Sequence, residues 1–203
     1  MSASIELPRS RGHPLVGIRE KVYNMASVLW VKPEKIVAVL EPLSPEDQLV
    51  VLAGTNSLRD NYCRLTPLHV AVWRGSEKAV RVLTSDLIAV NSIGNNLAVQ
   101  LNARGQTIKE LCPIHFAAGC LPDKIIRDAD CVRARIVRHL ASCGADLNAQ
   151  TRDRGLFTAL HKARHQGLRK VHEALVECGA DTEVLNAYGE DGSWGSAGET
   201  RAP

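Results

Sequence analysis

Residues 66–75 have the sequence TPLHVAVWRG, and closely similar stretches recur further along the chain, as CPIHFAAGC at 112–120 and as TALHKARHQG at 158–167. Each copy is followed by a second apolar segment; these are KAVRVL at 78–83, ARIVRHL at 134–140 and KVHEALV at 170–176. The last two segments are both followed by CGAD. Self-similarity of this kind is the signature of a repeat architecture. The sequence therefore predicts three copies of a two-helix unit.

The first copy shows why this pattern favours a helical hairpin. The hydroxyl of Thr66 can accept a hydrogen bond from an early helical N–H, and Pro67 is tolerated at the first helical position because that N–H has no intrahelical partner. Apolar residues follow at helical spacing, and Gly75 is placed to end the helix. Gly144 and Gly179 are placed to end the second helices of the later copies. Because one unit cannot bury its apolar face alone, the copies are predicted to stack.

The motif T-P-L-H-x-A, a glycine, a V-x-x-L helix and a closing G-A-D together resemble the ankyrin repeat, over about residues 60–185. The resemblance implies an all-α ankyrin-repeat solenoid of about three repeats. The middle copy departs from it, since Cys112 replaces the capping threonine and about 11 extra residues separate its two helices. The copies begin 46 residues apart, a spacing that also suits HEAT or armadillo repeats. We favour the ankyrin interpretation because we expect the extra length to lie in loops rather than in longer helices.

The predicted organisation has four parts. Residues 1–14 are expected to be disordered, and residues 15–59 to form a helical N-terminal cap or a degenerate repeat, with helices at 34–43 and 44–54. The repeat domain is assigned to residues 60–188, with insertions near 84–106 and 119–131. Residues 189–203, rich in Gly, Ser and charge, are predicted to be a disordered tail.

The third copy has the features of a terminal repeat. Arg164, His172 and Thr182 stand where the ankyrin family usually has Ala, Val and Val. We expect these polar side chains to face water, because the outer face of a terminal repeat has no neighbour.

The histidines decide whether the chain is predicted to be catalytic. His69, His115 and His161 occupy the same position in the three copies. A catalytic residue is not needed three times at fixed intervals, and the resemblance implies that this side chain bonds locally and joins neighbouring units. We therefore predict no catalytic residue. The residues assigned to the structural motif are Thr66, Pro67, His69, His115, Thr158 and His161.

The sequence predicts no metal or cofactor site. His161 and His165 have the i, i+4 spacing that can bind zinc, but the glutamate of a zinc-protease helix is missing. Cys112, Cys120 and Cys131 surround His115 without familiar ligand spacing. The chain also has no G-x-S-x-G motif and no glycine-rich phosphate loop.

Composition indicates an intracellular protein. The six cysteines form no C-x-x-C pair and the N-terminus has no apolar segment typical of a signal peptide, so reduced thiols are expected. The longest uncharged run, 87–103, is too polar to cross a membrane. A cytoplasmic or nuclear monomer is therefore predicted, with no membrane association.

The predicted function is that of a non-catalytic scaffold or adaptor that presents a rigid concave surface to a protein partner. Residues 152–172 carry six Lys or Arg against one Asp, a charge run that is typical of a solvated end repeat and that would also attract an acidic protein partner. The absence of interleaved aromatics argues against nucleic acid. Trp73 beside Arg74 is the favoured anchor, unless it packs under the insertion at 92–106. The predicted partner-binding residues are Tyr62, Arg64, Val70, Trp73, Arg74, Phe116, Arg154, Lys162, His165 and Gln166.

Two other functions are compatible with the sequence. One is a regulatory or targeting subunit that grips a client with its repeats and recruits a larger complex through its flanks. The other, less favoured, is a metal-binding protein that uses the Cys- and His-containing insertion near 112–131.

Overall fold

The computed structural model describes residues 14–27, 32–53, 65–88, 91, 96–103, 111–119 and 129–195. The regular secondary structure of these residues is helical, as the sequence predicted. In chain order the helices are α1 (Pro14–Ala26), α2 (Pro33–Leu40), α3 (Pro45–Ala53), α4 (Pro67–Trp73), α5 (Glu77–Leu83), α6 (Asn96–Leu101), α7 (Pro113–Ala117), α8 (Ala129–Ser142), α9 (Ala159–His165) and α10 (Arg169–Glu177). Within the ranges described, no helix combines the length and the apolar character needed to cross a bilayer.

Most of the helices pair into hairpins that stack in two rows. The pairs are α1 with α2, α4 with α5, α7 with α8, and α9 with α10. The first helices contact one another in the order α1, α4, α7, α9, and the second helices in the order α2, α5, α8, α10. The core between the rows is aliphatic; its fully buried side chains include Ile36, Leu40, Leu68, Leu83, Ile114, Ile136, Leu140 and Leu160.

The helix ends have the predicted chemistry. The Thr66 hydroxyl accepts a hydrogen bond from the backbone N–H of His69 at 3.3 Å. Gly75, Gly144 and Gly179 have φ values of +66°, +89° and +91°. This left-handed conformation is accessible to glycine because it has no Cβ, and it lets the chain turn back at the end of each helix.

The N-terminal region differs from the prediction in two respects. Pro14, assigned to the disordered N-terminus, is the first residue of α1. The predicted helices at 34–43 and 44–54 correspond to α2 and α3, but the hairpin partner of α2 is α1. Helix α3 lies instead against α1, α4 and α6. Residues 1–13 and 54–59 lie outside the described residues.

The expectation that all extra length lies in loops is wrong for the middle unit. Helix α8 has 14 residues, against 7 in α5 and 9 in α10. Its additional N-terminal turn places the carboxylate of Asp130 at the start of α10, where it accepts the backbone N–H groups of Lys170 and Val171, both at 3.0 Å. These two N–H groups have no partner within their own helix, so the longer α8 satisfies them. The earlier insertion contains α6, and the rest of both insertions is largely outside the described residues.

The prediction that the chain is disordered from residue 189 is wrong for residues 189–195. This segment covers the outer face of the last hairpin, where water was expected. His172 is buried, its Nε2 lies 2.8 Å from the carbonyl oxygen of Gly192, and its ring meets Trp194 edge-on at 5.0 Å. Arg164 donates to the carbonyl oxygens of Asp191 and Ser193, at 3.0 and 3.3 Å. The polar residues of the third copy therefore bind the backbone of a segment that has little apolar surface of its own.

We expect a substitution at Gly192 to loosen this segment. A Cβ at Gly192 would lie 2.9 Å from the Cβ of Leu160, which is too close for residues 189–195 and helix α9 to keep their positions. Gly192→Ala should lower the free energy of unfolding by about 1–2 kcal/mol, the usual cost of overpacking, in urea titrations. Gly195→Ala is the matched control, because nothing lies within 4 Å of its added Cβ. Equal stability of the two variants would contradict this packing.

Candidate functional site

His69 joins the backbone of its own hairpin to that of the next. Its Nδ1 accepts the backbone N–H of Thr66 at 3.3 Å and lies 2.7 Å from the Thr66 hydroxyl, and its Nε2 lies 2.9 Å from the carbonyl oxygen of Leu111. Since Nδ1 faces an N–H group, the proton of the neutral ring is on Nε2, which donates to the carbonyl. Burial lowers the pKa of His69 to about 4, although the hydrogen bond to Leu111 acts in the opposite direction. This imidazole is therefore neutral at physiological pH.

The equivalent histidines make the same connections. Nδ1 of His115 accepts the Cys112 N–H at 3.0 Å, and Nε2 lies 2.8 Å from the carbonyl oxygen of Ala149. His161 bonds in the same way to the Thr158 N–H at 3.1 Å and to the carbonyl oxygen of Glu190 at 2.9 Å. Both rings are fully buried, at 0% and 1% exposure. Because both nitrogens of each ring are bound to backbone, these histidines have no nitrogen left for a substrate or a metal.

The part of the chain that the structure describes contains no group of three or more His, Cys, Asp or Glu placed to hold a metal ion. Cys112 lies against the carbonyl oxygen of Asn102 at 3.7 Å, and the sulfur of Cys131 lies 2.9 Å from the Lys170 ammonium. Cys120 is outside the described residues. In the His161–His165 pair, His161 is already bound at both nitrogens, so this pair cannot act as the zinc site considered from its spacing.

Two of the predicted partner-binding residues are buried, which corrects the prediction that they are exposed. Val70 is 1% exposed and Phe116 is 4% exposed. Val70 lies on α4, which α1, α3, α5 and α7 all contact, so this short helix is enclosed by its neighbours. The Phe116 ring packs edge-on against the imidazole of His69, with 5.4 Å between ring centroids. Tyr62 and Arg64 lie outside the described residues.

Trp73 and Arg74 are half-buried and pack on each other. Trp73 lies against the hydrophobic core, and the guanidinium carbon of Arg74 is 5.0 Å from the centroid of the indole ring. Nε1 of Trp73 and Nε of Arg74 are buried without a hydrogen-bond partner among the described residues. Trp73 is therefore largely a packing residue covered by Arg74. Its side chain, which the sequence favoured as the anchor for a partner, is only partly accessible.

The remaining predicted residues lie on the accessible surface of the third unit. Lys162, His165 and Gln166 share one face of α9 and its end, with His165 and Gln166 exposed and Lys162 half-buried. Arg154 is exposed in the loop before α9. His165 meets the ring of Phe157 edge-on at 5.7 Å, which connects this face of α9 to the loop.

The structure adds exposed apolar side chains that the sequence analysis missed. Leu156 is 42% exposed, Leu185 is 57% exposed and Tyr188 is 70% exposed. The Gln150 amide donates to the carbonyl oxygens of Leu156 and Leu185, at 3.1 and 2.9 Å, so the loops before α9 and after α10 lie side by side. We call the surface formed by Leu156, Phe157, His165, Leu185 and Tyr188 the hairpin-tip patch.

The missed residues did have a sequence signal. In the loop before the third T-A-L-H motif, Leu156 and Phe157 interrupt an otherwise polar run. Leu185 and Tyr188 lie within the four residues before the segment predicted to be disordered. In the structure the ring centroids of Phe157 and Tyr188 are 6.0 Å apart. Apolar residues in an otherwise polar turn indicate a binding surface, because the turn does not need them for its own folding.

No protein-family model and no curated protein matches the chain. Function must therefore be inferred from the residues of this chain and their geometry.

Proposed function

We propose that this chain is a non-catalytic protein-interaction module, built as an ankyrin-repeat solenoid and acting as a scaffold or adaptor. The observation that carries the proposal is the repeated use of the three buried histidines as links between hairpins. The imidazoles of His69, His115 and His161 are bound to backbone at both nitrogens, and we infer that they serve stacking rather than chemistry. The stack is thus a support, and recognition falls to the loops and helix faces at its surface.

The accessible end of the stack is suited to binding a protein. Arg154, Lys162, His165 and Gln166 lie beside exposed apolar side chains on loops that hydrogen bonds hold in place. A surface fixed before binding loses little conformational entropy when the partner arrives, so more of the contact energy appears as affinity. The module needs no cofactor, and the proposed setting is a cytoplasmic or nuclear monomer with an acidic protein partner.

The direct test is binding between purified components. The full chain is used to recover partners from cells, and each recovered protein is then purified and titrated against the chain by isothermal calorimetry. We expect at least one partner to form a 1:1 complex with a Kd of about 10 μM or tighter, that is, about 7 kcal/mol of binding free energy or more. If every recovered protein fails to bind directly, or if the chain converts one of them chemically, the proposed function is wrong.

A further inference from the structure

The hairpin-tip patch gathers apolar side chains that the protein does not bury. Large exposed apolar residues elsewhere in the described ranges, such as Leu87 and Val176, lie on other helices or turns. Leu156, Leu185 and Tyr188 instead lie together, joined through Gln150 and Phe157. Single exposed apolar residues are common on any surface, whereas a group of them at one place marks an interaction site.

The backbone of Leu156 supports the same conclusion. Its φ is +48°, in the left-handed region, and it is the one residue other than glycine with a positive φ in the described part of the chain. A bulky residue pays about 1–2 kcal/mol for this conformation, which glycine would adopt without strain. The turn does not need a leucine, since the side chain is 42% exposed. A strained residue kept at an exposed position suggests that its side chain is used in function.

The charges beside the patch favour an acidic occupant. Arg154 lies two residues before Leu156, and Lys162 lies one turn before His165 on α9. Neither side chain takes part in the ion pairs found among the described residues. Asp153 is the acid nearest in sequence to Arg154, and its carboxylate accepts hydrogen bonds from the Thr151 hydroxyl and the Gly155 N–H.

The second loop carries acids of its own. Glu183 is exposed two residues before Leu185, and the Glu190 carboxylate accepts a hydrogen bond from the Asn186 side-chain amide at 2.9 Å. The backbone N–H of Asp181 bonds the side chain of Asn148 at 2.8 Å, and the N–H of Glu183 bonds the Asp181 carboxylate at 2.8 Å. Positive charge on Arg154 and Lys162 therefore borders the patch on the side of α9 and its preceding loop, whereas the acids border it on the side of the second loop. The acidic residues of a partner are expected to lie along the α9 side.

We propose that the hairpin-tip patch is the docking site for an acidic, extended segment of a partner protein, which places an apolar side chain between Leu156 and Tyr188. This inference rests on the proposed function and specifies the partner's chemistry. Two of the exposed apolar side chains are leucines, which offer no face for base stacking, so the patch fits a protein segment better than a single-stranded nucleic acid. Tyrosine is among the residues that dominate binding energy at protein interfaces.

The experiment uses random 12-residue peptides displayed on phage and selected on the immobilised full chain. We expect the enriched peptides to carry Asp and Glu around a Leu or an aromatic residue. The tightest peptide is then synthesised with a fluorescent label, and its Kd is measured by fluorescence polarisation for the wild type and the variants. Tyr188→Ala and the double variant Arg154→Glu/Lys162→Glu should each weaken binding about tenfold or more, and the double variant should also flatten the salt dependence.

Leu156→Gly separates a binding role from a folding role. It removes the side chain and also relieves the positive φ, so the peptide Kd should rise about fivefold or more while the melting temperature stays constant or increases. Leu87→Ala, which truncates a side chain that is 68% exposed outside the patch, should leave both values unchanged.

Each alternative outcome is informative. Enrichment of basic or neutral peptides, displacement of the peptide by single-stranded DNA, or failure to enrich any peptide would overturn this inference. A selected peptide that binds Leu156→Gly and Tyr188→Ala as tightly as the wild type would also overturn it, but would leave the proposed function standing, because the chain would then bind proteins through another surface.

Discussion

Replacement of His115 by alanine is expected to lower the free energy of unfolding by about 3–4 kcal/mol, from the loss of two buried hydrogen bonds and the cavity left by the ring. The ring is 0% exposed and lies between the N–H of Cys112 and the carbonyl oxygen of Ala149. Without the ring, the Cys112 N–H and the Ala149 carbonyl oxygen each lose a hydrogen-bond partner while remaining in the middle of the stack. Urea titrations monitored by circular dichroism measure the change.

His165→Ala is the matched control for this substitution. His165 is exposed and lies on the next hairpin, so its replacement should change the free energy of unfolding by no more than about 0.5 kcal/mol. If His115→Ala is as stable as His165→Ala, the histidine does not join the hairpins, and a functional role for the repeated histidines has to be reconsidered.

Acidification from pH 7 to pH 4 is expected to destabilise the fold, with about 3 kcal/mol of the loss due to His69 alone. Burial lowers the pKa of this imidazole from 6.5 to about 4, so between these pH values the unfolded chain binds a proton that the folded chain does not. Stability due to this group is therefore complete above pH 6.5 and is lost as the pH falls toward 4.

The comparison with His69→Gln isolates this contribution. His139 acts in the same direction, because burial lowers its pKa, and Glu77 contributes only at lower pH, because the hydrogen bond from Arg135 lowers the pKa of its carboxylate. Both groups remain in the variant, so the pH dependence between 6.5 and 5 should be shallower than in the wild type. Parallel curves for the two proteins would show that His69 is not buried as a neutral ring.

Local sequence was sufficient to predict the hairpins. The hydroxyl of Thr66, the Nδ1 atom of His69 and the turn at Gly75 act on neighbours within a few residues, so their consequences follow from spacing alone. The aliphatic core follows from the same periodicity. Short-range interactions of this kind can be predicted from a single sequence.

The errors concern contacts between distant parts of the chain. Val70 was expected to be exposed because the repeat pattern does not reveal that four other helices contact α4. Residues 189–195 were expected to be disordered because their composition offers little to bury, but His172 and Arg164 bind their backbone carbonyl groups. The proposed binding surface differs from the one predicted from the sequence for the same reason. The two loops are brought together by bonds between distant residues, from Gln150 to Leu156 and Leu185 and from Ala187 to Gly155.

The central claim is that His69, His115 and His161 hold the stacked hairpins together and do no chemistry. Long-range ¹H–¹⁵N correlation spectra of the imidazole rings test it most directly, because they report which nitrogen carries the proton. We predict the Nε2–H tautomer for all three rings, with Nδ1 unprotonated, and no titration of His69 above about pH 5. An Nδ1–H tautomer in any of the three, or titration of His69 near pH 6.5, would contradict the claim.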